Sequence, residues 1–297
     1  MTRTFQFQLQ ISNQFGHLRG HLRGYLRGYL RTYRTYFCRG LRGGLRCRDC
    51  VVWILLLAAG PVAAEQLAGT IQRIKPSIVA VGIFRQANNP PFTFRGTGFV
   101  IAPGNIIVTN AHVLPESLDA DGMTTLMIRA HAPPAPPQFR PARVLALDRE
   151  HDLALLRIAD ATLPALALRP ADTAQEGQLI AFTGFPIGGA LGFSPVTHRG
   201  SISAITPIVL PAPTSQQLNE KSIRRIRSGG FAIYQLDATA YPGSSGSPVY
   251  DPANGEVLAI INMVFVKGTK ESVLSQPSGI TYAIPVTHLR DLLRAAP

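Results

Sequence analysis

The stretch ATAYPGSSGSPVYD, residues 238–251, sets Gly and Ser residues between apolar segments and decides how the chain is interpreted. Clusters of Gly, Ser and Pro between apolar runs are usually loops, so the stretch alone predicts a turn. The alternative is that Ser245 is a nucleophile, with Gly243 and Gly246 allowing close approach of the backbone to a substrate carbonyl. Residues elsewhere in the sequence decide which of these two interpretations is favoured.

The charge and the cysteines are concentrated at the N-terminal end of the 297-residue chain. Of a formal net charge of +12, residues 1–64 hold ten arginines and one aspartate, whereas residues 65–297 hold 19 basic and 16 acidic residues. A nearly neutral body excludes a basic nucleic-acid-binding face for the mature domain. Cys38, Cys47 and Cys50 all precede residue 65, which excludes a disulfide framework, a thiolate metal site and a cysteine nucleophile in the body. We predict no cofactor and no metal.

Residues 1–64 are predicted to be a basic leader containing a signal peptide. Residues 51–59 are an apolar run preceded by arginines, and the small residues at 62–64 favour cleavage between residues 64 and 65. The run is too short to cross a bilayer of about 30 Å. The sequence therefore predicts export to the bacterial periplasm or medium, with membrane attachment only if the leader stays uncleaved. The basic region of residues 1–50 is either an arm that binds RNA or anionic lipid, or absent from the mature protein because translation starts near Leu41 or Leu45.

Residues 65–297 have the pattern of an all-β fold. Short apolar segments recur at intervals of about 8–15 residues, separated by turn signals. The polar segment 169–177 divides them into two groups, which predicts two β-barrels, over about 76–168 and about 178–284. A short C-terminal helix is predicted for 286–295, because Val286, Leu289 and Leu292 lie on one helical face.

Serine catalysis needs an imidazole to take the hydroxyl proton and a carboxylate to orient that imidazole. His112 follows a predicted strand in IVTNAHVL, and Asp152 directly precedes the apolar strand of LDREHDLALLRI. A carboxylate buried at that strand start requires a partner. Asp148 is interpreted as a turn residue, and it lies roughly 13 Å from Asp152 in an extended chain at 3.3 Å per residue, so one histidine meets only one of them.

With these residues placed, the body resembles the trypsin-like serine proteases and, within them, the HtrA/Deg branch. The similarity covers nearly all of residues 70–295 and is carried by GTGFVI with VTNAHVL, by DLALLRI, by GFPIG before VTHRGSISAI, by LDATAYPGSSGSPV, and by GEVLAIIN with YAIP. The resemblance implies two six-stranded barrels with the site in the cleft between them. It implies His112 as general base, Asp152 as orienting acid, Ser245 as nucleophile, and the N–H groups of Gly243 and Ser245 as the oxyanion hole.

The sequence departs from the family around the nucleophile. Ser244 and Ser247 stand where the HtrA family usually has Asn and Gly, an ending more like that of glutamyl endopeptidases. Those enzymes carry a histidine on the strand occupied here by residues 261–263, and Thr239 replaces the Asp that selects Arg or Lys. We therefore expect a small or medium apolar residue before the scissile bond. The residues predicted to form this specificity pocket are Thr239, Ile261, Asn262 and Met263.

The predicted function is an exported serine endopeptidase whose partners are protein or peptide substrates, with unfolded or damaged envelope proteins as the expected class. A catalytically silent protease fold used as a binding or chaperone-like module, and a narrowly specific processing protease, are the alternatives. Because the chain ends at Pro297 after the predicted helix, no PDZ domain is expected in cis, and monomer and trimer are equally open. The basic loop 214–230 is either an activation loop, as its counterpart in the family can be, or a solvated loop.

Overall fold

The computed structural model describes residues 62–115, 123–130, 136–159, 162–171, 173–188, 192–208, 230–262 and 279–297. Within these residues, two closed antiparallel barrels of six strands each confirm the predicted all-β fold. The first barrel consists of β1 (Ile78–Phe84), β2 (Phe92–Ile101), β3 (Ile106–Thr109), β4 (Thr125–Ala130), β5 (Gln138–Asp148) and β6 (Leu153–Ile158). The second consists of β7 (Leu179–Gly184), β8 (Val196–Ile208), β9 (Phe231–Asp237), β10 (Pro248–Tyr250), β11 (Val257–Asn262) and β12 (Ile280–Pro285).

The two barrels share one topology. In the first barrel the neighbouring strands follow the order β1-β2-β3-β6-β5-β4, and β1 pairs with β4 to close it. The second follows β7-β8-β9-β12-β11-β10, closed by β10 with β7. Closure pairs the edge strands and removes exposed edges. Residues at corresponding strand ends of the two barrels are therefore held by rigid frameworks.

The core has three layers of buried side chains, and the alternating side chains of β6 contribute to two of them. Ala154 and Leu156 point into the interior of the first barrel, while Leu153 and Leu155 belong to a layer that also contains residues of the second barrel. Both faces of the strand are thus buried over residues 153–156, which explains the apolar run there, and the one polar residue of the strand, Arg157, is exposed. A third cluster fills the interior of the second barrel around Phe182.

In the part of the chain that the structure describes, two α-helices flank the barrels: α1 (Val62–Ile74) and α2 (Val286–Ala295). Helix α2 lies where the apolar face predicted it, with Val286 and Leu289 buried. Helix α1 was not predicted, although the spacing of Leu67 and Ile74 places both on one face, buried in the layer shared by the barrels. Within the described part of the chain, neither helix combines the length and apolarity that a membrane span needs.

Several predicted features lie outside the described residues. These are the signal-peptide core at 51–59, the pocket residue Met263, and residues 214–229 of the basic loop.

Candidate active site

His112 lies on a short 3₁₀ turn, Ala111–Val113, that directly follows β3 and Asn110. Its neighbours Ala111 and Val113 are buried, whereas 32% of the His112 side chain is exposed. The turn is fixed from outside by Arg95, whose Nε donates to the Val113 carbonyl at 2.6 Å and whose Nη2 donates to the carbonyl of the next residue at 3.2 Å. The imidazole is therefore presented at the surface by a backbone that is held in place.

Asp152 holds His112 through both carboxylate oxygens. Oδ2 lies 2.6 Å from Nδ1 of the imidazole, and Oδ1 accepts the His112 backbone N–H at 2.8 Å. With Nδ1–H donated to the carboxylate, the neutral tautomer leaves Nε2 free to accept a proton. The geometry gives the imidazole the orientation that a general base requires.

The backbone of Asp152 is strained and is fixed by the segment that carries His112. Its φ of +54° is uncommon for a residue with a side chain and costs of order 1 kcal/mol or more. The Asp152 carbonyl accepts the Ala111 N–H at 3.1 Å and Asn110 Nδ2 at 3.0 Å. These bonds hold the backbone that aims the carboxylate at the imidazole.

Asn262, the last residue of β11, supplies a third donor to Asp152. It is fully buried and its Nδ2 lies 2.7 Å from Asp152 Oδ2, so this bond joins the second barrel to the first. Asn262 is predicted from the sequence to line the specificity pocket, and its contact with Asp152 is not predicted. The available signal was a polar residue ending a strand that is otherwise entirely apolar and buried, since buried amides are normally hydrogen-bonded.

The second carboxylate–histidine pair is separate from the first. Asp148 Oδ1 accepts the backbone N–H groups of Glu150 and His151, an Asx-type turn, and Oδ2 lies 2.6 Å from His151 Nδ1. His151 stacks on His288 of α2 with ring centroids 4.0 Å apart. Burial of His288, reinforced by the neighbouring His151, lowers the pKa of His288. This pair belongs to the packing of α2 against the barrels.

The turn 243–247 leaves two of its N–H groups available. Within the described part of the chain, no acceptor takes the N–H of Gly243 or of Ser245, the two groups predicted to form the oxyanion hole. The other three are engaged: Ser244 N–H with Tyr241 O (2.9 Å), Gly246 N–H with Ile261 O (3.0 Å) and Ser247 N–H with Ser244 O (3.0 Å). A pair of donors without acceptors beside a serine hydroxyl is what stabilisation of an oxyanion requires.

The peptide preceding Gly243 is oriented by the segment after β7. The Pro242 carbonyl accepts the N–H of Ile187 at 2.7 Å, and because C=O and N–H point opposite ways in a trans peptide, the Gly243 N–H is directed away from that segment. Gly243 has φ +100°, and a Cβ there would lie 2.5 Å from the Phe185 carbonyl oxygen. Only glycine fits this position.

Thr97 of β2 ties the turn to the first barrel. Its N–H donates to the Ser245 carbonyl at 2.9 Å, and its Oγ1 donates to the Gly243 carbonyl at 2.8 Å while accepting the Phe185 N–H at 3.0 Å. At the preceding residue, Gly96, a Cβ would meet both the Val113 side chain (2.6 Å) and the Ser245 carbonyl (3.2 Å). The segments carrying His112 and Ser245 therefore converge on the same point of β2.

Of the predicted pocket residues, Thr239 is half-buried, and the other two that are described have their side chains engaged elsewhere. Ile261 is fully buried in the core of the second barrel and Asn262 bonds to Asp152. The composition of the specificity pocket thus stays a prediction that rests mainly on Thr239. Within the described residues, no cluster of three or more His, Cys, Asp or Glu side chains is arranged to hold a metal ion.

Comparisons with known proteins agree with this architecture. The family model of the trypsin-like peptidase domain matches residues 96–260. A probable periplasmic serine endoprotease, DegP-like, of Chlamydia pneumoniae is 29% identical over 192 residues, which cover 64% of this chain and 32% of that protein. Serine protease HTRA1 of Xenopus tropicalis is 26% identical over 234 residues, 76% of this chain and 42% of that protein.

Solved structures share the fold. The serine endoprotease from Yersinia pestis aligns with a TM-score of 0.54 at 21% identity, covering 77% of this chain and 65% of that structure. Deg5 aligns with a TM-score of 0.55 at 21% identity, covering 77% of this chain and 92% of that structure. The chain spans about a third of the length of the Chlamydia relative and about two fifths of the Xenopus one. The chain belongs to the trypsin-like peptidase family, and the relatives it resembles are serine proteases of the HtrA/DegP type.

Proposed function

We propose that this protein is an exported serine endopeptidase that cleaves peptide bonds with Ser245, His112 and Asp152. The proposal is carried by two hydrogen bonds between Asp152 and His112. Oδ2 of Asp152 lies 2.6 Å from Nδ1 of His112, and Oδ1 accepts the His112 backbone N–H at 2.8 Å. A carboxylate that bonds both the ring and the backbone of one histidine fixes its tautomer and orientation, which is the role of the acid in serine catalysis.

In the proposed reaction, Ser245 Oγ attacks the scissile carbonyl carbon while His112 Nε2 takes the hydroxyl proton. The carbonyl oxygen becomes an oxyanion that accepts the N–H groups of Gly243 and Ser245, each such donor contributing about 10²–10³ in rate. The imidazolium then gives its proton to the amine, the C–N bond breaks, and an acyl group remains on Ser245. Water repeats the sequence with His112 as base, releasing the acid and restoring the serine.

Asp152 stabilises the imidazolium formed at each step. The side-chain amide of Asn262, whose Nδ2 donates to Asp152 Oδ2 at 2.7 Å, keeps the carboxylate in place.

We further propose that the residue before the scissile bond is small or apolar, because Thr239 offers no charge at the predicted pocket base. Unfolded or damaged proteins are the proposed substrate class, since extended chains reach a cleft between two barrels. Degradation of denatured casein tests this class; a narrow processing enzyme leaves casein intact.

The decisive experiment is labelling of the full chain with a fluorophosphonate probe, with the adduct located by mass spectrometry. We expect an adduct on Ser245, none in Ser245→Ala, and normal labelling in Ser244→Ala. Asp152→Asn is expected to slow labelling by about 10²–10⁴, following the loss of the correct tautomer. Asp148→Asn is the matched control, because it disrupts the other carboxylate–histidine pair and leaves the site intact. A folded protein without an adduct would instead support a silent binding module.

The proposal of export rests on the sequence of residues 51–64 and on relatives described as periplasmic. Cleavage between residues 64 and 65 would shorten α1 by three residues and leave the buried Leu67 and Ile74 in place. Cell fractionation with N-terminal sequencing tests this: we expect Glu65 as the first residue of an extracytoplasmic protein. Recovery of peptides from residues 1–40 in the mature protein would contradict it.

A further inference from the structure

A cavity opens beside His112 on the side of the first barrel. It has a volume of about 480 Å³, and His112 itself forms part of its wall. Apolar side chains make up much of the rest, including Leu114 on the turn after His112 and the partly exposed Val144 and Leu147 of β5. This cavity is distinct from the predicted specificity pocket, which lies on the second barrel.

Among the described residues that line the cavity, the charged ones are the arginines Arg95 and Arg149, and none is acidic. The Arg95 guanidinium bonds to two backbone carbonyls, which hold it without neutralising its charge. Arg149 is exposed and makes no hydrogen bond or ion pair with the part of the chain that the structure describes. The described walls of the cavity therefore combine apolar side chains with positive charge that no described residue neutralises.

Two acids, Asp148 and Glu150, flank Arg149 in the sequence, and the carboxylate of Asp148 is bonded elsewhere. Asp148, adjacent to Arg149, has Oδ2 bonded to His151 Nδ1 and Oδ1 bonded to two backbone N–H groups. Burial raises the pKa of Asp148, but its bonds with His151 outweigh this and the pKa is lowered overall, so the carboxylate stays ionised at His151. Arg149 forms no ion pair with the described residues, so its guanidinium can pair with an acidic group from another molecule.

We propose that this cavity is a substrate subsite that binds a glutamate side chain flanking the residue held in the specificity pocket, with Arg149 as the specificity-determining residue. The apolar walls accommodate the methylene groups of the glutamate, and the planar guanidinium pairs with its carboxylate through two parallel N–H···O bonds. A lysine in the same place would face two positive charges. The inference rests on the proposed endopeptidase function, because it assigns this cavity to the substrate of that site.

The test uses the full chain and a set of internally quenched peptides that differ at one residue. Glu, Gln, Leu or Lys is placed in turn at each of the second and third positions before the scissile bond and the first and second positions after it. At one position we expect kcat/KM for Glu to exceed that for Gln by about 5–30-fold at low salt, the range for an arginine–carboxylate pair discounted for exposure. The preference should shrink as salt is raised.

Substitution of Arg149 identifies the cause. In Arg149→Ala the Glu-to-Gln ratio is expected to fall close to one, and in Arg149→Glu the preference should turn to Lys. Arg143→Ala is the matched control, since Arg143 is an exposed arginine of β5, the strand that Arg149 follows, and does not line the cavity; this variant should keep the preference. A preference for Leu over Glu at all four positions, or one for Glu that survives in Arg149→Ala, would overturn the proposal.

A binding experiment separates this inference from the proposed function. Ser245→Ala, unable to turn over, is titrated with the Glu and Gln peptides by fluorescence anisotropy, alone and combined with Arg149→Ala. Tighter binding of the Glu peptide that is lost with Arg149 supports the subsite even if the wild-type chain fails to cleave or label. Equal affinity for the two peptides refutes the subsite, whatever the outcome of the labelling.

Discussion

Replacing Thr97 by valine removes one hydroxyl from β2 at nearly constant volume. We expect this change to impair catalysis, although Thr97 is not one of the three proposed catalytic residues. Oγ1 donates to the Gly243 carbonyl at 2.8 Å and accepts the Phe185 N–H at 3.0 Å, and Thr97 is fully buried. Valine leaves both backbone groups without their partner. Each buried group left unpaired costs about 1–3 kcal/mol, so the two together cost the variant about 2–6 kcal/mol of stability.

The effect on rate follows from the same two bonds. Loss of a full oxyanion donor costs about 10²–10³ in kcat. The peptide before Gly243 stays held by the bond from Ile187 N–H to Pro242 O at 2.7 Å, so only part of the orientation is lost. We therefore expect kcat to fall by about 10–100-fold, with KM changed by less than about 3-fold, since the oxyanion forms only in the transition state.

The assay compares Thr97→Val with Thr97→Ser, which keeps the hydroxyl. Peptide hydrolysis and the fluorophosphonate labelling rate are measured at a temperature where near-UV circular dichroism shows both variants folded. A peptide boronate, which mimics the tetrahedral intermediate, should bind Thr97→Val less tightly by the same factor as the loss in kcat. A folded Thr97→Val that labels at the wild-type rate would refute the positioning role, as would a Thr97→Ser as slow as the valine variant.

Asn262→Leu keeps the volume of β11 but removes the donor to Asp152, so we expect kcat to fall about 10-fold, the effect of losing one charge-assisted hydrogen bond; an unchanged kcat would contradict this. Burial lowers the pKa of His198 from 6.5, so the unfolded chain binds the proton more readily and stability is lost as the pH falls below about 6.5. His198→Phe should therefore lose less melting temperature between pH 7.5 and 5.0 than the wild type, and an equal loss would refute the assignment. Arg169→Ala breaks the 2.7 Å ion pair with the partly buried Asp251 and should lower the free energy of unfolding in urea by about 1–3 kcal/mol, whereas a midpoint unchanged at constant slope would show that the pair is neutral.

Much of the architecture could be predicted because successive side chains of a β-strand point to opposite faces, so burial of a strand leaves a recognisable pattern of apolar residues. The apolar run of β6 predicted a buried strand, and the recurrence of such short apolar runs predicted an all-β fold. Helix α1 escaped prediction because its buried face shows just a few apolar positions, Leu67 and Ile74 among them, in a segment whose small residues also suit a cleavage site. The small residues at 62–64 therefore fit both a cleavage site and the first turn of a helix.

For the candidate site, the sequence predicted the residue types but not their hydrogen-bond partners. The residue types and their order along the chain, His112 then Asp152 then Ser245, were available from local sequence, because each chemical role demands a particular side chain beside a strand. The partners of those residues were not. Asn262 contacts Asp152 across 110 residues, and the Thr97 hydroxyl contacts the Gly243 carbonyl across 146.

The sequence by itself therefore determined the strands, the class of fold and the groups able to perform the chemistry, because these depend on backbone periodicity and on side-chain identity. Only the tertiary structure decided which hydrogen bonds orient Asp152 and the Gly243 peptide, and that Arg95 and Arg149 line one cavity with His112. Such contacts depend on the angle and distance at which two closed barrels pack. No local pattern encodes that geometry, because each barrel forms the same strand pairs whatever its neighbour.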